Sequence, residues 1–184
     1  MRFSCTSERM SESSVSVNLS PSQLATETLL NDMKALVNDH RSVASHLKLE
    51  ITEGQVMANP EHSAYMLEAL HSMGLGLALD DFGTGHSSLS HMRDFPVDLI
   101  KVDRSYTRQI SEDEEIAALV AGVVHLACSL GLEVVAEGVE TTRQFDLLRA
   151  MGCHFAQGHL LGKPVESARV HEYISQDMLR KSAA

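Results

Sequence analysis

Asn18, Glu50, Asp80, Asp81 and Glu137 stand at or beside the ends of short apolar runs spread through a chain of 184 residues. All are hard oxygen donors, with no thiolate or imidazole among them. Oxygen-only sets favour Mg²⁺, Mn²⁺ or Ca²⁺ over Zn²⁺ or Cu²⁺. Adjacent Asp80 and Asp81 suit two ions, one carboxylate bridging while its neighbour binds the second. Two ions about 3.5–4 Å apart can clamp a water and a phosphate oxygen for in-line displacement. Lys101 and Asp103 extend that chemistry. The ammonium can orient a nucleophilic water or stabilise charge on phosphate, and Asp103 can position the water. Gly83-Thr84-Gly85 follows the Asp pair as a loop free to reshape around metal or substrate. Gln157-Gly158 offers an amide to a phosphate or base, with close backbone approach.

These residues need a scaffold that brings them together. Strand-like runs recur at 15–19, 47–52, 76–80, 99–103, 133–137 and 154–157, with helical patterns at 22–39, 60–73, 114–130 and 142–151. In the strands, Val15, Val17, Leu49, Ile51, Leu77, Leu79, Ile100, Val102, Val134 and Ala136 mark an aliphatic face. Asn18, Glu50, Asp80, Lys101, Asp103 and Glu137 fall on the other, because side chains alternate along a strand. The strand–helix cadence predicts βα units around a parallel sheet in one domain. The carboxylates and amide lie at the carboxyl ends of their strands, where a (β/α) barrel builds its active site. A lone Asp there is ordinarily a helix cap. Five consecutive strands ending this way are hard to explain as caps, and like charges converging on one axis call for a cation.

Composition narrows the field. Lys plus Arg number 15 against 25 Asp plus Glu, for a net charge of −10. That sign argues against binding a DNA backbone, although divalent cations let an acidic chain hold phosphates. With no Trp, three Tyr and five Phe, a stacking platform for single strands is not expected. Cys5, Cys128 and Cys153 form no framework and read as reduced thiols filling a core, in the cytoplasm. His40, His62 and His71 have no metal-ligand spacing and read as surface or helix positions. The amino terminus has no apolar signal core. The apolar stretch 116–132 is broken by Gly122, His125 and Ser129, so it reads as a buried helix and not a membrane span.

In order, VSVNLSPSQL (15–24), LEITE (49–53), DDFGTGHSSLSHM (80–92), FPVDLIKVDRSY (95–106), LGLEVVAEGVET (130–141) and QGHLLGKP (157–164) resemble the successive motifs of the EAL domain. The resemblance implies a TIM-type (β/α) barrel and hydrolysis of cyclic di-GMP to linear pGpG, with two Mg²⁺ or Mn²⁺ ions and Ca²⁺ as an inhibitor. It implies one ion on Asn18, Glu50 and Asp80, and another on Asp80, Asp81 and Glu137. Lys101 would contact the water and scissile phosphate, with Asp103 in support. Glu53 would anchor the loop that carries Gly83, Thr84 and Gly85. Glu140 and Gln157 would sit near the guanine and phosphate.

Departures shape the remaining expectations. The strand bearing Glu-Ala-Leu and the phosphate-binding Arg after it have no counterpart before Val15. Glu68-Ala69-Leu70 spells the letters only inside a helical pattern. His86 stands where the family usually has Tyr, and Tyr106 where it has Phe, the latter exchange expected to be nearly neutral. The expected molecule is therefore an incomplete barrel of about six strands over 15–184, after a disordered or atypical leader at 1–14. Two readings stay open: a phosphodiesterase, or a non-catalytic cyclic di-GMP sensor or protein-interaction module. A homodimer or another barrel-covering chain is the expected partner, with no DNA and no membrane span.

Overall fold

The aliphatic runs become six parallel strands in the computed structural model, which describes residues 14–40, 42–83 and 95–170. They are β1 (Val15–Asn18), β2 (Leu47–Thr52), β3 (Gly76–Phe82), β4 (Leu99–Val102), β5 (Glu133–Ala136) and β6 (Phe155–Ala156). Each pairs with the next in the order β1-β2-β3-β4-β5-β6. Doubly wound sheets reverse their strand order, whereas strictly sequential parallel pairing is the wall of a (β/α) barrel. Register places Asn18 level with Glu50, and Thr52 level with Asp80.

Burial follows the alternation. Leu49, Ile51, Leu77, Leu79, Ile100, Val102, Val134 and Ala136 are buried, joined by Met66, Leu67 and Leu70 and by Val120, Val124 and Leu148. Met66, Leu67 and Leu70 belong to α4 (Pro60–Ser72), so Glu68-Ala69-Leu70 is one turn of a packed helix, as its spacing predicts. The edge strand departs from expectation. Val15 and Val17 are 64% and 43% exposed, because no described element covers that end of the sheet.

The expected helix 22–39 is two elements. Ser20 and Gln23 form a reciprocal capping box and Pro21 opens the turn, so α1 (Pro21–Leu24) closes before α2 (Thr28–Asp39) begins. Two helices of six residues escape the periodicity because they are shorter than its window. They are α3 (Glu53–Ala58) and α5 (Arg104–Gln109), each starting at a strand end. Beyond them lie α6 (Glu114–Ser129) and α7 (Thr142–Ala150). Cys153 is buried core filler, but Cys128 is exposed. No described helix is long and apolar enough to cross a membrane. The expected leader, apart from Ser14, lies outside the described residues, as do Cys5, Thr84, Gly85 and His86.

Candidate active site

Lys101 sits between Ile100 and Val102, both buried in the core, so the pleat turns its side chain to the opposite face. Its ammonium lies 2.6 Å from Glu50 Oε2, 2.7 Å from Glu137 Oε1 and 3.1 Å from Asp80 Oδ2. Carboxylates from β2, β3 and the end of β5 thus meet one buried cation. Burial works against the charged amine, but the bonds to Glu137, Glu50 and Asp80 hold its pKa above the ordinary lysine range. Glu137 is pushed up, first by burial and then by repulsion from Asp80 and Glu50, which outweigh the pull of Lys101. Three carboxylates against one ammonium leave negative charge in excess. Toward the amino-terminal ends of the strands, Lys48 reaches Glu133 at 3.6 Å and lies 5.8 Å from the centre of the Phe155 ring.

Alternation alone would send Asp80 and Asp81 to opposite faces. The pairing of β3 with β4 slips between Leu79 and Phe82, and Asp81 adopts a left-handed backbone with φ 54°. Such a bulge re-aims a side chain. A left-handed backbone costs about 1–2 kcal/mol per L residue, and Asp and Asn are among the few that visit it. The Asp81 pKa is raised by burial and then by Asp80 and Asp103, with Lys101 and Arg104 pulling the other way. Both members of the Asp pair therefore feel the same cluster. Beyond them Gly83, at φ 91°, donates its N–H to Glu53 Oε2 at 3.1 Å, and Glu53 is buried in the first turn of α3. The Tyr106 hydroxyl donates to the Gly83 carbonyl. Tyr106 thus gives this turn a bond that Phe cannot make.

Asp103 takes the ordinary role of a strand-end Asp. It caps α5, accepting from the Ser105 N–H at 2.9 Å and from the Ser105 hydroxyl. Burial opposes its charge, yet these bonds hold its pKa below the usual value. Asn18 is level with Glu50 but exposed on the edge strand. Glu140 and Gln157 line a cleft of about 480 Å³ beside Glu137, together with Arg104, Arg108 and Lys163. Close backbone approach at Gly158 is real: a Cβ there would lie 2.2 Å from the Val139 carbonyl oxygen. A Cβ on Gly138, at φ 67°, would lie 2.6 Å from Arg104 Cβ, so this glycine lets the start of α5 approach β5. Arg104 and Arg108 are four residues apart and so share a face of α5. Their pairing is invisible until that short helix is recognised.

The donor set fits a hard divalent cation in its chemistry, since oxygens from Glu50, Asp80 and Glu137 already gather on a single positive charge. Their spacing is that of ion pairs to an ammonium. Among the described residues, no three Asp, Glu, His or Cys side chains are drawn into metal-ligand geometry.

The chain is similar to known proteins over most of its length. The EAL domain matches residues 3–164. MucR of Pseudomonas aeruginosa, a bifunctional diguanylate cyclase/cyclic di-GMP phosphodiesterase, is 39% identical over 156 residues, covering 85% of this chain and 23% of MucR. The cyclic di-GMP phosphodiesterase RocR of the same organism is 37% identical over 158 residues, 86% of this chain and 40% of RocR. The chain therefore spans well under half the length of either relative. Among solved structures, the PaMucR phosphodiesterase in complex with c-di-GMP superposes with a TM-score of 0.81 at 39% identity, covering 85% of this chain and 64% of that one. Klebsiella pneumoniae BlrP1 with manganese and cyclic di-GMP gives 0.73 at 34% identity, covering 82% and 39%. The six parallel strands are part of the TIM-type barrel of these neighbours. With the match running through most of its length, the chain belongs to the EAL domain family.

Proposed function

We propose that the strand-end cluster is the catalytic site of a divalent-cation-dependent phosphodiesterase that opens cyclic di-GMP to linear pGpG. The observation that carries this reading is the convergence of Glu50, Asp80 and Glu137 on Lys101, in a chain similar to cyclic di-GMP phosphodiesterases. Mg²⁺ or Mn²⁺, held by Asn18, Glu50, Asp80, Asp81 and Glu137, would supply charge neutralisation at the phosphate and a nucleophilic water at neutral pH. Lys101, a buried and fixed positive charge, stabilises the charge that develops on the phosphate oxygens. Asp103 orients the water from its place at the start of α5. Arg104, Arg108 and Lys163 bring positive charge to the cleft, where Glu140 and Gln157 meet the guanine and phosphate. Glu53 holds the turn after the Asp pair. Ca²⁺ takes a larger, looser oxygen shell and is expected to inhibit. A homodimer or another chain over the β1 edge, and a cytoplasmic setting, belong to the same proposal.

The test is incubation of the chain with cyclic di-GMP and Mn²⁺ or Mg²⁺, followed by chromatographic detection of pGpG. Product that disappears in Glu137→Gln supports the proposal. Exposure of Asn18 at the sheet edge favours a second reading, a sensor that binds without hydrolysis. Cyclic di-GMP bound with no pGpG formed selects that reading.

A further inference from the structure

Gly83 is held at both its backbone N–H and its carbonyl. Its N–H donates to Glu53, which follows β2, and its carbonyl accepts from the Tyr106 hydroxyl, which follows β4. Gly83 itself follows β3, so three adjacent strands are tied together at their carboxyl ends. Those strands carry Glu50, Asp80 and Lys101, the groups that meet in the site. The Tyr106 ring also lies against the glycine, with ring carbon Cε2 only 3.4 Å from where a Cβ would stand. Two residues earlier is Asp81, which has a left-handed backbone and donates its N–H to Asp80 Oδ1 at 2.9 Å. A sparsely populated backbone persists only where its surroundings over-determine it.

We propose that Tyr106 is a positioning residue, its hydroxyl fixing the turn at Gly83 so that Asp81 stays presented beside Asp80. The consequence for metal binding rests on the carboxylate assignment above; the clamp itself does not. Without the hydroxyl, the Gly83 carbonyl loses this bond, and among the described residues the bond from its N–H to Glu53 is the one that still ties the glycine to a neighbouring strand. The packing of the ring is a separate contribution, which Phe would keep.

Tyr106→Phe isolates the hydroxyl. One lost hydrogen bond corresponds to an effect of about twofold to tenfold. Amide exchange at Gly83, followed by NMR, is expected to quicken by that factor, while exchange in the β2 and β4 amides stays as in wild type. Mn²⁺ affinity, read by the spin-resonance signal of free Mn²⁺, is expected to weaken by a similar factor with the melting temperature in chelator little changed. Wild-type exchange at Gly83 overturns the proposal, and so does faster exchange with undiminished Mn²⁺ affinity. If the wild-type chain binds no Mn²⁺, the carboxylate assignment fails on its own account. Gly83 exchange then decides the clamp, faster in Tyr106→Phe supporting it and unchanged overturning it.

Discussion

Lys101 balances much of the charge in the site. Lys101 is 5% exposed and its ammonium touches Glu50, Asp80 and Glu137, so a neutral side chain would leave the three carboxylates facing one another. Breaking a buried ion pair from one side costs about 3–5 kcal/mol. Lys101→Met is expected to lose that order of stability in urea unfolding with chelator present. Mn²⁺ should then raise its melting temperature more than that of wild type, because an ion replaces the missing charge. Loss below about 1 kcal/mol, within the range of a surface pair, would contradict the arrangement. Asp103 gives a pH test. Its folded pKa lies below the ordinary 3.8, so its contribution is present above 3.8 and is lost as pH falls through the lower folded value. Asp103→Ala, which removes a helix cap worth about 1 kcal/mol, should melt below wild type at neutral pH, with the gap closing in strong acid. A gap that widens in acid would reverse the sign and refute the cap. At this scale, the common face of Glu50, Asp80, Lys101 and Glu137 was legible because alternation is a property of every strand. The placement of Asp81 was not, since it depends on a bulge that breaks alternation.

Short helices at strand ends decide how the cleft is built. Thr52 caps α3 through a reciprocal box with Gln55, and Asp103 caps α5, so each turns the chain directly from strand into helix. At the far side, Gly158 packs under Val139 with no room for a methyl group. The nearest atoms are backbone, the carbonyl oxygen at 2.2 Å and the nitrogen at 2.3 Å, and cannot rotate away. Gly158→Ala is therefore expected to cost about 1–3 kcal/mol or more as the segment after β6 is forced outward. Chemical unfolding measures the loss, and a stability equal to wild type would contradict the close approach. The long helices α4, α6 and α7 were legible from apolar spacing over several turns. The break between α1 and α2 was carried by the Ser20–Gln23 box and Pro21, a local competition that periodicity does not register. Arg104 and Arg108 were missed because α5 is too short to show a period.

At the scale of the molecule, the sequential sheet was legible from the cadence of strands, whereas what borders its edges was not. Among the described residues, β1 and β6 each pair on one side only, and β1 carries the exposed Val15 and Val17. Unpaired strand edges accept further strands. The isolated 184-residue chain is therefore expected to self-associate, with light scattering reporting a mass above its 20.1 kDa monomer. A monodisperse monomer that melts cooperatively would contradict this. The divalent-ion assignment has the most direct test, a melting series in Mn²⁺ for wild type and Asp80→Asn. Ion binding to the folded state alone stabilises it increasingly with concentration. Wild type should climb steadily with Mn²⁺, while Asp80→Asn, deprived of the carboxylate proposed to bridge the ions, stays flat; equal shifts in the two proteins would place the ion elsewhere.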